Sequence, residues 1–379
     1  MNGYEYQRGL NEVTERKVRR MIYNRAATVK NTIGRMIYES ERAQDFTAAI
    51  GKVQHENGSC PDIYFNQRGN RLLLQTRDQE FLLHNHAVGQ LADKIGVPAK
   101  YLRELSQGPQ WQQELAVTIL NKHTDWNDRS RLLIRAVGDE VRGILSVNYR
   151  RLHSVQILTA FLQEAEKQNA AVCDALMTDT RIYVETILPT PVCIPTVKNG
   201  DVAIYIGARF STSDYGDGSL DIRTFFMNGV CLNGMVSERV MREIHLGGRL
   251  PENILFSDET YRKDTEAVKS MVRDLTGNLY SPQNINLIAE KIQCASGIDA
   301  DFDAELGKLV KVGKLQKPES EGIRKLLMNN DPADGLAGES TLWKLTQAIT
   351  AHGREMEEAR KRELHELSGE LMARAFGKA

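Results

Sequence analysis

Residues Asp201–Gly248 read DVAIYIGARFSTSDYGDGSLDIRTFFMNGVCLNGMVSERVMREIHLGG. Val202, Ile204, Ile206 and Ala208 share one face of an extended run, and Leu220, Ile222 and Phe225 open a second. A period of two marks strands. Between the runs, Asp214-Tyr215-Gly216-Asp217-Gly218-Ser219 supplies glycines that accept positive φ and Asp side chains that bond back to the backbone. The two runs are therefore expected to pair as an antiparallel hairpin. It feeds a loop, Asn228-Gly229-Val230-Cys231-Leu232-Asn233-Gly234-Met235-Val236, in which two Asn-Gly pairs bracket apolar residues.

Working outward, LLIRAV and VRGILS flank the turn Gly138-Asp139-Glu140 and predict another hairpin. A helix over His153–Gln168 follows, with Val155, Leu158, Phe161 and Leu162 on its apolar face. Ala171–Met177 and Arg181–Leu188 read as strands, and the Pro-rich Pro189–Pro195 is confined to a sheet edge or a connection. Residues 126–250 thus form an α+β core. Ahead of it, residues 57–125 read as a small α/β subdomain with short strands at Asp62–Phe65, Arg71–Thr76 and Glu80–Leu83. His86–Ser106 then has helix-turn-helix spacing: Leu91 and Leu102 pack, Ala92 allows close approach and Gly96 makes the turn. Glu104 on the second helix disfavours entry into a DNA groove, so the segment predicts a shape more than a DNA reader.

The first 56 residues read as a basic helical arm, helical over Glu12–Ile50, with Val18, Ile22, Ala26, Val29, Ile33 and Ile37 as the buried stripe. Residues 251–379 read as a helical region, with helices over Asp258–Leu275, Pro282–Cys294, Asp299–Leu309 and Thr341–Ala375. Arg354–Glu370 is almost wholly charged, which suits a solvated helix or an oligomerisation arm. The expected fold is α+β: a mainly antiparallel sheet with packed helices, a long basic N-terminal helix and a helical C-terminal region.

With 379 residues, 41% hydrophobic and 26% charged, the chain can bury a large core. Its formal net charge of -1 means that any nucleic-acid partner must be met by a local patch. No apolar run approaches the ~18 residues that suggest a membrane span, and MNGYEYQRGLNEV lacks the order of a secretory signal. Cys60, Cys173, Cys193, Cys231 and Cys294 are scattered without CxxC spacing and read as free thiols of a reducing cytoplasm.

Motifs of catalysis are missing: there is no nucleophile elbow, phosphate-binding loop, dinucleotide fingerprint or HExxH. Gly216-Asp217-Gly218 joins two strands, with no helix N-terminus following to hold an anion. Cys231 has no His placed by sequence to activate it. His84 and His86 lack further ligands, and Asp214, Asp217 and Asp221 do not fit a calcium loop. No catalytic residue, cofactor or metal is predicted.

Two basic groups remain. Arg16, Lys17, Arg19, Arg20, Arg25, Lys30 and Arg35 lie on the N-terminal helix, with no acid between Arg16 and Arg35. That run suits a solvated face, phosphate contact or docking of an acidic partner. The second group is Arg135, Arg142, Arg150, Arg151, Arg209 and Arg223, with Tyr149 and Tyr215 nearby. A sheet presenting them would have the ingredients of a strand-binding surface, since arginines neutralise phosphates and aromatics stack on unpaired bases.

Four segments come in one order: GVPAKY (Gly96–Tyr101), SVNYRRLHSVQIL (Ser146–Leu158), SDYGDGSL followed by NGVCLNGMV (Ser213–Val236), and LWKLTQAIT (Leu342–Thr350). In these the chain resembles a phage- and plasmid-associated family known only as a domain of unknown function, over roughly Arg71–Gly369. That family has an Arg-aromatic-Val approach to the Cys; here Phe225-Phe226-Met227-Asn228-Gly229-Val230 leads in, with Arg223 the nearest arginine. The resemblance implies a mobile-element setting in a bacterial host. At fold level the hairpin-and-helix order also resembles phage and plasmid annealing proteins. The expectation is a non-catalytic, homo-oligomeric protein that binds or anneals single-stranded DNA, with no membrane partner. A host-interaction protein and an enzyme of unrecognised type are the alternatives.

Overall fold

The computed structural model describes residues 3–55, 58–126, 131–243 and 256–376; Arg129 and the end of the opening stretch, 244–248, lie outside them. The chain begins with α1 (Gly3–Glu41), β1 (Ala43–Ala49) and a ribbon of β2 (Lys52–His55) and β3 (Gly58–Pro61). Next come β4 (Tyr64–Arg68), β5 (Arg71–Gln75) and β6 (Glu80–Leu83), then α2 (Asn85–Ile95), α3 (Ala99–Gln107) and α4 (Gln110–Trp126). β7 (Arg131–Val137) and β8 (Glu140–Ser146) complete a six-stranded sheet of order β1-β7-β8-β6-β5-β4. It is antiparallel except where β6 meets β8. Leu91 and Ala92 of α2, Leu102 of α3 and Leu120 of α4 fill its helical side against Phe65, Leu74 and Ile134. Gly96 ends α2 in the left-handed region at φ 72° and allows the expected sharp turn into α3.

Two expectations for the N-terminus need correction. The helix stops at Glu41, and Ala43–Ala49 is a strand paired with β7 from Ala43↔Val137 to Ala49↔Arg131. Phe46 and Thr47 favour extended backbone, and the open edge of β7 offers the ladder that decides the matter. The buried stripe also differs: Thr14, Val18, Met36 and Glu39 turn inward, whereas Ala26 and Ile37 are exposed. α1 packs chiefly on the segment Ala171–Met177, and its inward face is narrow and partly polar, with Thr14 and Glu39 beside Val18 and Met36.

The second half contains α5 (Ser154–Lys167), β9 (Ala171–Met177), β10 (Ile182–Ile187), β11 (Val192–Pro195), β12 (Asp201–Thr212), β13 (Leu220–Asn228) and β14 (Asn233–Glu243). The helices α6 (Asp258–Leu279), α7 (Pro282–Gly297), α8 (Phe302–Lys311), α9 (Lys317–Asn329), α10 (Leu342–His352) and α11 (Glu358–Phe376) follow. Strands β14-β13-β12-β10-β9 form an antiparallel sheet, with β11 on β12. The predicted hairpin is present, in register from Ile204↔Asn228 to Ser211↔Asp221.

This second sheet is covered on both faces. Ile204, Ile206, Ala208, Phe210 and Ile222 pack against α5, α6 and α7 through Phe161, Val268, Val272, Ile288 and Ile292. On the other face, Tyr205, Phe225 and Met227 meet Val18 and Met21 of α1. α11 lies against β14, so close that a Cβ on Gly369 would stand 1.8 Å from the Val236 carbonyl oxygen. The helix expected over Thr341–Ala375 is not one helix but two, α10 and α11, broken by a 3₁₀ turn at Gly353–Glu355. Its charged stretch is also not wholly solvated, because Arg362, Leu364, His365, Leu367 and Ser368 are buried.

The turn of the opening hairpin joins the two sheets. Gln90 Nε2 donates to the Tyr215 carbonyl at 2.7 Å, Arg135 Nη1 to the Asp214 carbonyl at 2.8 Å and Tyr149 OH to the Ser213 carbonyl at 3.1 Å. Ser154 and Thr180 hydroxyls bond the Asp214 and Asp217 carboxylates. The tip Gly216–Gly218 is exposed, but the carbonyls at the turn's inner end need partners, and side chains of α2, β7 and the segment after β8 supply them.

Candidate functional site at the basic helix and the second hairpin

The structure divides the expected strand-binding residues. Arg135 is 9% exposed and is held by Asp45 through Nε and Nη2, both at 2.7 Å. Arg142 is also buried, donating to the Asp179 carbonyl at 2.6 Å and lying over the Tyr215 ring. Arg150 is bidentate to Asp264, both bonds 2.6 Å, and meets Glu243. Arg151 lies over Tyr261. Arg223 pairs with Glu366 at 2.8 Å, and Arg209, 1% exposed, pairs with Glu185. Tyr149 and Tyr215 are buried, the latter donating to Glu39 at 3.2 Å. The expectation that the sheet presents these side chains to a strand is corrected: they form a paired inner layer. The physical reason differs by place: helices cover both faces of the second sheet around Arg209 and Arg223, the hairpin turn lies over Arg135 and Arg142, and the half-buried Arg150 and Arg151 turn to Asp264 and Tyr261; a buried guanidinium without a carboxylate would cost too much.

Arg16, Lys17, Arg19 and Arg20 are all exposed on α1. Arg16, Arg20, Tyr23 and Lys30 follow one line of the helix at spacings of four, three and seven. Tyr23 is 81% exposed. Among the described residues neither Arg20 nor Lys30 meets a carboxylate, while Arg19 makes only a solvent-exposed pair with Glu15. Lys17 Nζ donates to the Val230 carbonyl at 2.9 Å and so ties this helix to the turn between β13 and β14.

That turn is the expected loop, and the structure makes it a tight second hairpin in which Asn228 pairs with Asn233. Leu232 takes φ 58°, a conformation costly for a residue with a γ-branched side chain. Asn228 stabilises the turn, accepting from Val230 N–H at 3.0 Å and donating to Gln347 of α10 at 3.1 Å. Beside it is a cavity of about 290 Å³, walled by Arg25 of α1, Phe225, Cys231, Asn233, and Lys361 and His365 of α11.

Asn233 is 3% exposed, and neither its Oδ1 nor its Nδ2 has a hydrogen-bond partner among the described residues. Deeper in, Glu185 accepts from Arg209 Nε at 2.8 Å and from Arg362 Nη1 at 2.7 Å. Burial alone would raise the Glu185 carboxyl, but the two guanidiniums outweigh it and hold the group down to about 2. Arg209 Nη2 donates to His365 Nδ1 at 3.2 Å, so the imidazole is neutral with its proton on Nε2. Burial, reinforced by Arg209, keeps His365 well below its usual range. The cavity lining holds both His365 and Cys231, which the sequence order hid. Burial nevertheless pushes the Cys231 thiol up to about 11, so at neutral pH it is not a thiolate.

His84 and His86 are engaged separately: His84 Nδ1 accepts from His86 N–H at 3.1 Å and caps α2, and His86 Nε2 bonds the Tyr215 carbonyl at 3.0 Å. Among the described residues, no group of three or more His, Cys, Asp or Glu is placed to hold a metal, and no helix is long and apolar enough to cross a membrane. Asn233, His365 and Lys361 were not singled out for function from the sequence; only the Asn-Gly pairs around Cys231 pointed to this place. The chain matches no family model, no curated protein and no solved structure. The resemblance to a mobile-element family rests on its motifs alone.

Proposed function

We propose that the protein binds single-stranded nucleic acid along the outer face of α1. The observation that carries this reading is Tyr23, 81% exposed, in line with Arg16, Arg20 and Lys30. Cations alone would suit any polyanion, but an exposed aromatic among them supplies a stacking platform that only unpaired bases can use. Duplex DNA hides its base faces, so the reading favours single strands. The chain's near-zero net charge keeps the attraction local to this helix.

The test is fluorescence anisotropy of labelled single- and double-stranded oligonucleotides over a salt series. Tighter binding of single strands is expected, weakening steeply with salt as counterions are released. Tyr23→Ala should cost about 1–3 kcal/mol on single strands and leave the salt slope unchanged. Absence of binding at low salt, with capture of an acidic polypeptide instead, would transfer the helix to a protein partner.

A further inference from the structure

The outer face of α1 continues beyond Lys30. About two turns further on, Tyr38 is 52% exposed, and the Arg42 guanidinium carbon lies 4.2 Å from the centre of its ring. Arg42 is itself exposed and meets no carboxylate among the described residues. We infer that the bound strand runs the length of α1 and stacks a second base on Tyr38, an assignment that rests on the strand-binding reading of the helix. The ligand is then a strand of several nucleotides held at two rings, rather than a single base held at Tyr23.

Helix geometry sets the two rings on one track. Arg20 and Tyr38 are 18 residues apart, five turns at ~3.6 residues per turn, so they share a line. Tyr23 and Tyr38 are 15 residues apart, ~22 Å along the axis and about 60° round it. At ~3.4 Å or more per nucleotide, a strand covers that distance in at most about six steps. Between the rings the surface is low: Ala27 and Gly34 are exposed, and a Cβ on Gly34 would meet nothing within 4 Å. Lys30 stands beside them as a cation for the intervening phosphates. Arg42 sits over one face of the Tyr38 ring and leaves the other for a base, with its charge beside the phosphate of the same nucleotide. Acids mark where the track stops. Glu39 turns inward and is bonded by Arg35 and Tyr215. Glu41, about one turn past Tyr38, is exposed and repels phosphate, so the last base lies on Tyr38 at the side of Arg42.

The experiment uses the full chain with oligothymidylate of about 12 and about 4 nucleotides, the shorter measured by competition against the labelled longer one. On the long strand, Tyr38→Ala should weaken binding ~5-fold or more, as Tyr23→Ala does, because each removes one base stack. The short strand occupies one ring at a time, so either variant should lose no more than ~2-fold on it. Tyr38→Phe should keep long-strand affinity, since the ring stacks and the hydroxyl does not. Arg42→Gln should lower the long-strand salt slope by ~0.7, and it carries the test if thermal melts show Tyr38→Ala to be unfolded. Wild-type affinity of folded Tyr38→Ala for the long strand, with Tyr23→Ala weakened, would overturn the inference and keep the α1 reading. An unchanged salt slope in Arg42→Gln would overturn it as well. If wild type binds neither strand, both proposals fall.

Discussion

Arginines of this chain occupy two regions with opposite surroundings. On α1, Arg16, Arg19 and Arg20 stand in solvent with at most a surface ion pair. Between the second sheet and α11, Arg209 of β12 and Arg362 of α11 share the buried carboxylate of Glu185, and Arg223 turns to Glu366. The residue type is the same, and the sequence gives both groups similar company. What separates them is which surface the helices cover. A charge in the interior must be matched by the protein and is then spent on holding α11 to the sheet. A charge outside keeps its field for a partner. The lesson concerns binding sites in general: a count of arginines on a strand says nothing about availability until the layer above that strand is known.

The comparison can be broken most forcefully at Glu185. Glu185→Ala leaves two guanidiniums buried without their shared acceptor and should cost about 3–5 kcal/mol, read as a shift of the denaturant midpoint. An effect under about 1 kcal/mol would mean that Glu185, Arg209 and Arg362 do not form a buried, mutually dependent cluster.

Acid should expose the same region in two stages. His365 is held below 6.5 in the folded protein, while the unfolded chain takes up a proton near that value. Stability therefore falls as pH drops below 6.5, at up to about 1.4 kcal/mol per unit. Glu185, held down to about 2, contributes stability that is complete above 4.5 and is lost as pH falls from 4.5 toward 2. His84 and His352 are also held low, by burial first, so His365→Gln should reduce the slope of the upper stage and keep the lower one, as followed by thermal melts across pH. A flat profile between pH 7 and 5 in wild type would remove the buried neutral imidazole from the account.

At the small end, replacing Arg16, Arg19 and Arg20 together with Gln should change stability by no more than about 0.5 kcal/mol per site, because these side chains hold nothing in place. A large loss of stability would erase the contrast between the two regions.

Much of the fold was legible in local pattern. The period of two in Val202–Ala208 and Leu220–Ile222, with Gly216 and Gly218 between, specified a hairpin that the structure contains, and Gly96 marked the turn between α2 and α3. The candidate site was less legible. Arg209, Glu185 and His365 meet from β12, β10 and α11, and nothing in one strand announces a partner more than a hundred residues away. The covering of both sheet faces was hidden as well, because polar residues such as Arg209, Asp221 and Arg223 alternate with apolar ones as though they faced water. One signal was present: Leu364, Leu367 and Leu371 recur at helical spacing within the charged stretch and mark a packed α11. The strand β1 was masked by its position directly after a long helix, where only pairing with β7 distinguishes it.

The most direct measurement is single-strand affinity of the Arg16→Gln, Arg19→Gln, Arg20→Gln variant, taken over a salt series beside wild type, with melting temperatures confirming that both are folded. The account predicts weaker binding to every strand and a log–log salt slope reduced by about 0.7 for each cation removed. Unchanged affinity and slope in the folded variant would contradict it and place any nucleic-acid contact elsewhere on the molecule.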